Sequence, residues 1–194
     1  KESYLKGRDL IFDLDNTLIN EKDYLYPAYY SIALKIYPSK KKEIFEFLKN
    51  EFEQKGRSFL YQKLKKKFKF NNFNLKQFKL ILHENRSCQV INTYLWFKDF
   101  VQSLNSPLNL FIITNGNITQ QKNKLKLINF PKNILINQII YANQFNKKPS
   151  PDSFIELKKY SKISNPIYIG DSEVDQKFAE NSNIEYFDIS LVRY

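Results

Sequence analysis

The sequence predicts an α/β protein: a central parallel sheet with an all-helical segment inserted after its first strand. Three observations carry this. A short apolar run, Leu10-Ile11-Phe12, ends in two carboxylates. Apolar residues over about 22–92 recur at helical spacing. From about Trp96 onward, apolar runs alternate with helical patterns. Strands alternating with helices imply right-handed crossovers and a parallel sheet. In such sheets ligands gather beyond the carboxyl ends of the strands.

The elements follow in order. Branched and aromatic residues make Leu10–Phe12 a buried strand. The insert reads as helices over Tyr26–Tyr37, Lys41–Lys55 and Ser58–Lys69, and a fourth from Leu75 to about Glu84 behind an Asn74 cap. Next come a helix at Phe97–Leu104 and a strand at Leu108–Ile113, with Pro107 between them. Ile118–Ile128 reads as helix, Ile134–Tyr141 holds a strand, and Pro151–Tyr160 is helix. Pro166–Gly170 is strand, Ser172–Asn181 helix, and Ile184–Phe187 closes the series. The expected boundaries are 1–20 with 93–194 for the core and 21–92 for the helical insert.

Composition excludes several classes. At 42% hydrophobic and 26% charged, the 194 residues describe a globular chain and not a disordered one. No apolar run approaches the ~18–20 residues of a membrane span, and Lys1-Glu2-Ser3-Tyr4 lacks the apolar core of a signal peptide. Cys88 stands alone, which fits a reducing cytoplasm. With one histidine, His83, neither a zinc site nor a Ser-His-Asp triad is supported. The net charge of +11 is lysine charge, since Arg8, Arg57, Arg86 and Arg193 are the only arginines. A phosphate-gripping surface favours arginine, so the excess reads as a compositional bias of the whole chain. The densest run, Lys63, Lys65, Lys66, Lys67 and Lys69, alternates with Leu64, Phe68 and Phe70. It reads as a helix with packed aromatics and solvated lysines, and nucleic acid is not the expected partner.

Four polar clusters follow apolar strands. Asp13 and Asp15 are two apart near a strand end, so they point to the same side and repel. A divalent cation and an anionic substrate would make that pairing useful; an Asp-Asn turn is the plainer alternative. Thr114-Asn115-Gly116 offers a hydroxyl and backbone N–H groups at the start of a helix, or an ordinary strand-to-helix turn. In Lys147-Lys148-Pro149-Ser150-Pro151-Asp152, flanking prolines stiffen a loop that would hold the Lys148 ammonium as a point charge. In Gly170-Asp171-Ser172-Glu173-Val174-Asp175, Asp171 falls at a strand end as a further metal carboxylate or a helix cap. Asp175 lies one helical turn on, able to orient the loop or to pair with Lys148.

The order and spacing of these clusters resemble the haloacid dehalogenase (HAD) superfamily of phosphotransferases and phosphatases across most of the chain. The insert resembles the family's helical cap, type C1. Tyr168–Ile184 looks like the phosphoglycolate phosphatase branch. The resemblance implies a Rossmann-like three-layer core and a Mg²⁺-dependent phosphatase acting on a small phosphorylated metabolite. Asp13 would attack phosphorus to form an aspartyl-phosphate, and Asp15 would serve as general acid and base. Mg²⁺ would be held by Asp13, the Asp15 carbonyl and Asp171, with Asp175 in support. Thr114, Asn115 and Lys148 would bind the phosphoryl group, and Arg57, in a turn of the cap, would touch the leaving group; Arg86 is a second choice. Asp15 argues against the family's dehalogenases, which lack the second aspartate. A phosphomutase, or a HAD-fold binding or regulatory protein with little turnover, is the alternative. The specific ester and the oligomeric state are not read from the sequence.

Overall fold

The computed structural model describes residues 2–191. The chain divides into two compact units, residues 1–21 with 90–194, and residues 22–89.

The first unit is built on five parallel strands: β1 (Asp9–Phe12), β3 (Leu108–Thr114), β5 (Ile134–Tyr141), β6 (Pro166–Gly170) and β7 (Glu185–Asp188), in the order β5-β3-β1-β6-β7. β1 therefore lies in the middle, with β3 on one side and β6 on the other. Its residues alternate between two packed layers, as the pleat requires. Ile11 joins Phe111, Ile113, Ile140 and Tyr168 in a cluster with Phe154 and Leu157 of α8 (Asp152–Tyr160) and Phe178 of α9 (Glu173–Asn181). Phe12 instead meets Phe97 of α6 (Leu95–Gln102) edge-on, with ring centroids 5.6 Å apart. The result is a Rossmann-like α/β sandwich.

A short helix, α1 (Glu2–Leu5), precedes β1. Tyr4 and Arg8 both bond Glu185 of edge strand β7, with Arg8 reaching both carboxylate oxygens at 2.8 Å. A two-residue ladder pairs β2 (Ile91–Asn92) with β4 (Ile128–Asn129), which follows α7 (Ile118–Leu127). Residues 91–92 were expected in the helical insert, but this parallel pairing places them in the first unit. Glu21, expected there too, is tied to Asn16, whose Oδ1 accepts from the Glu21 N–H at 3.2 Å. An antiparallel bridge between Ile19 and Thr93 sets the chain's exit and return side by side.

The second unit holds α2 (Glu21–Ile36, whose first residue belongs to the other unit), α3 (Lys41–Lys55), α4 (Leu60–Phe68) and α5 (Leu75–Glu84). Buried residues Leu25, Ala28, Tyr29, Ile32 and Ile36 recur at three- and four-residue steps along α2. The Asn74 cap of α5 is a full capping box with Gln77. α2 begins earlier than the periodicity predicts and runs through Pro27. Pro27 has no N–H for the Asp23 carbonyl, which accepts from the Cys88 thiol at 3.6 Å instead. Among the described residues no helix is long and apolar enough to cross a membrane.

Candidate active site

Three adjacent strands deliver the site. Asp13 follows β1 and continues its pairing, its N–H donating to the Ile169 carbonyl at 2.9 Å. Thr114 is the last residue of β3, and Asp171 follows the last residue of β6. Because β1 sits between the other two, their carboxyl ends meet above it. Carboxylate oxygens of Asp13, Asp171 and Asp175 lie within 4.8 Å of one another. Asp175 comes this close because residue 170 is glycine: a Cβ there would fall 2.5 Å from the Asp175 Cβ. Asp171 is not the cap of α9. That role falls to Ser172, whose Oγ accepts from the Asp175 N–H at 3.3 Å.

Lys148 arrives from the loop between β5 and α8 and is 3% exposed. Its ammonium donates to Asp13 Oδ1 at 2.7 Å, Asp175 Oδ1 at 2.6 Å and the Tyr168 hydroxyl at 2.7 Å, using all three protons. Tyr168 in turn donates to the Ile113 carbonyl at 2.9 Å. Both open alternatives for Asp175 are thus met, for it pairs with Lys148 and accepts from the Ser172 hydroxyl at 2.6 Å.

Asn115, expected among the phosphoryl-binding residues, commits its side chain to the lysine loop. Its side-chain amide accepts from the Lys148 N–H at 2.9 Å and donates to the Lys148 carbonyl at 3.1 Å. The side chain thus clamps the lysine loop. The Gly116 N–H is taken as well, by Asn143 Oδ1 at 2.8 Å.

Asp15 has its own lysine. Lys124 of α7 lies 2.6 Å from both of its carboxylate oxygens, and Gln121, one turn earlier, donates from Nε2 to Asp15 Oδ2 at 2.9 Å. The same Nε2 lies 2.9 Å from Thr114 Oγ1. Sequence reasoning missed Gln121, Lys124 and Tyr168. The available signal was a pair of long polar residues three apart on one face of a helix that follows a site strand. Arg57 belongs to the helical unit, exposed in the turn after α3, as does Arg86, which pairs with Glu84 at 2.8 Å.

Burial raises the Asp13 carboxyl above the usual carboxylate range; Lys148 draws it down, while Asp175 and Asp15 push it up again. For Lys148, burial works against the charge, but Asp13 and Asp175 outweigh it and hold the ammonium above the usual lysine range. One ammonium among three crowded carboxylates leaves negative charge over. Hard oxygen donors with surplus negative charge fit a hard divalent cation.

Residues 10–189 match the family described as haloacid dehalogenase-like hydrolase. No curated protein matches the chain. Among solved structures, a hydrolase from Streptococcus pneumoniae TIGR4 is 16% identical, with a TM-score of 0.52 over 95% of each chain. A putative phosphoglycolate phosphatase from Lactobacillus plantarum is 19% identical, with a TM-score of 0.50 over 92% of this chain and 84% of its own. The L-2-haloacid dehalogenase from Xanthobacter autotrophicus is 13% identical, with a TM-score of 0.56 over 91% and 75%. At these identities the structural likeness speaks for the fold.

Proposed function

Since this chain belongs to the haloacid dehalogenase-like hydrolases, we propose that it is a divalent-metal-dependent phosphatase of small phosphate monoesters. The observation that carries this reading is the second carboxylate: Asp15 stands two residues from Asp13, anchored by Lys124 and Gln121 beside the Thr114 hydroxyl. Displacement of a halide needs no proton donor, whereas an alcohol leaving from phosphorus does.

In this reading Asp13 attacks phosphorus and the ester P–O bond breaks. The leaving oxygen takes the proton of the Asp15 carboxyl, releasing an alcohol and leaving an aspartyl-phosphate on Asp13. Water then attacks the same phosphorus, giving a proton to the Asp15 carboxylate, and the P–O bond to Asp13 breaks to free inorganic phosphate and restore both side chains. Lys148 holds Asp13 in place, and Thr114 donates to the phosphoryl oxygens. Asp13, Asp171 and the Asp15 carbonyl would hold Mg²⁺, which offsets repulsion between the nucleophile and the phosphate. Arg57 is proposed as the contact to the leaving group, and the cytoplasm as the compartment.

The test is p-nitrophenyl phosphate turnover with and without Mg²⁺, alongside halide release from a 2-haloacid. The wild type is expected to release p-nitrophenol only with metal, and Asp13→Asn to release none while keeping its circular dichroism. Metal-independent halide release without phosphatase activity would replace this reading with dehalogenation.

A further inference from the structure

Lys124 stands out among the buried groups. Its side chain is 0% exposed, on a core helix position where an apolar residue would pack. Taking an ammonium out of water is costly before its partners compensate, so fold stability alone gives no reason for it. Its partners include the two oxygens of Asp15 and, at 3.6 Å, Glu21 Oε1. Gln121 is 1% exposed and spends its amide donor on Asp15, Thr114 Oγ1 and the Asn115 carbonyl. The chain makes room for this amide: Gly116 has φ of +120°, and a Cβ there would lie 3.3 Å from Gln121 Nε2.

We propose that Gln121 and Lys124 are positioning residues that fix the plane and direction of the Asp15 carboxyl, so that it addresses the oxygen leaving phosphorus. The inference rests on the phosphatase reading above. The geometry explains why it takes two residues. A lone carboxyl rotates about its terminal bond, and Lys124, facing both oxygens, sets where the group lies. Gln121 reaches one oxygen only, together with the phosphate-binding hydroxyl, and so sets its orientation relative to the phosphoryl group. Lys148 serves Asp13 separately, so the two carboxylates are held apart by two different ammonium groups. When the Asp15 proton passes to the leaving oxygen, the group left behind is the carboxylate that Lys124 faces.

The substrate's own leaving group supplies the test. A series of aryl phosphates, from p-nitrophenyl to phenyl and p-methoxyphenyl, keeps shape similar while the departing phenolate becomes more basic and needs the proton more. kcat/KM reports the steps through transfer to Asp13. Lys124→Met and Gln121→Met are expected to lower kcat/KM by roughly tenfold more for phenyl than for p-nitrophenyl phosphate, part of the 10²–10⁴ a positioned acid supplies. Lys124→Arg is expected to recover part of the loss. An equal loss across the series, or none, overturns the inference while leaving the phosphatase reading intact. Wild-type protein that hydrolyses none of these esters overturns both. If Lys124→Met does not fold, Gln121→Met, which keeps the ion pair, decides by the same criterion.

Discussion

Residues 22–89 carry sixteen basic and six acidic side chains; residues 1–21 with 90–194 carry fifteen and fourteen. The helical unit thus holds +10 of the net +11, and the larger unit only +1. A bias acting on the whole chain would load both units alike, so the expectation of an even lysine excess fails. The two units also use charge differently. In the sheet unit the lysines that matter are buried against carboxylates, Lys148 with Asp13 and Asp175, Lys124 with Asp15. In the helical unit Lys65, Lys66 and Lys67 stand exposed in the last turn of α4, where a helix's carbonyl end favours cations. Burial multiplies the energy of a charge contact and exposure nearly cancels it. The same residue type therefore does opposite work in the two units.

The sharpest way to break this contrast is Lys148→Met. Removing one partner of a buried pair leaves Asp13 and Asp175 uncompensated, and the expected loss is about 3 kcal/mol, read as a shift of the urea midpoint. Combining it with Asp175→Asn is expected to restore much of that loss, because the stranded charge goes with it. If Lys148→Met unfolds at the wild-type midpoint, the core lysines are no different in kind from the surface ones.

The next effect concerns metal and pH. Asp13 titrates near pH 4 when unfolded and, pushed up mainly by burial, above that range in the folded site. Between the two values the folded state binds the extra proton. Metal-free stability from this group is therefore fullest at acid pH and falls as pH rises through the folded value. Mg²⁺ needs the ionised carboxylate, so its stabilising effect is expected to grow over the same interval. Melting curves with and without MgCl₂ between about pH 5.5 and 8.5 would show the gap widening upward, and at a hundredfold excess over Kd it approaches about 2.7 kcal/mol. A gap that is flat or narrows with rising pH would remove Asp13 from the metal site.

How much of this was legible in the sequence follows from the same contrast. Asp13, Thr114 and Asp171 stood out because each comes where an apolar strand ends and the sheet's carboxyl edge begins. Lys148 was marked by its prolines. Lys124 and Gln121 were hidden because they occupy the inward face of α7, where a polar residue reads as an imperfect amphipathic pattern. Only the fold brings that face against Asp15, 109 positions earlier for Lys124. Tyr168 was hidden for the opposite reason: an aromatic in a buried strand looks like packing, and its hydroxyl shows its use only once Lys148 is beside it. Asn115 was legible as a site residue, but the clamp its side chain makes was not, since its partner is the backbone of a loop 33 positions away.

The smallest expected effects lie in α4 and test the other side of the comparison. Lys66 is exposed, and Lys66→Gln is expected to change stability by less than about 0.5 kcal/mol. Loss of a favourable helix-end charge is offset there by relief of repulsion among neighbouring lysines. Lys67 differs in its aromatic contacts: its ammonium lies 4.6 Å from the centroid of Phe47 and 5.5 Å from that of Phe68, two rings that meet edge-on with centroids 5.6 Å apart. Lys67→Gln is expected to cost about 0.5–1 kcal/mol, the usual worth of an exposed cation–π contact. Lys67→Arg, which keeps a cation over the ring, should recover it. Urea titrations of Lys66→Gln, Lys67→Gln and Lys67→Arg make the comparison within one helix turn. If Lys66→Gln proves as costly as Lys67→Gln, the α4 lysines act through their summed field and not through the aromatic contacts of Lys67. In that case added salt should shrink both losses together.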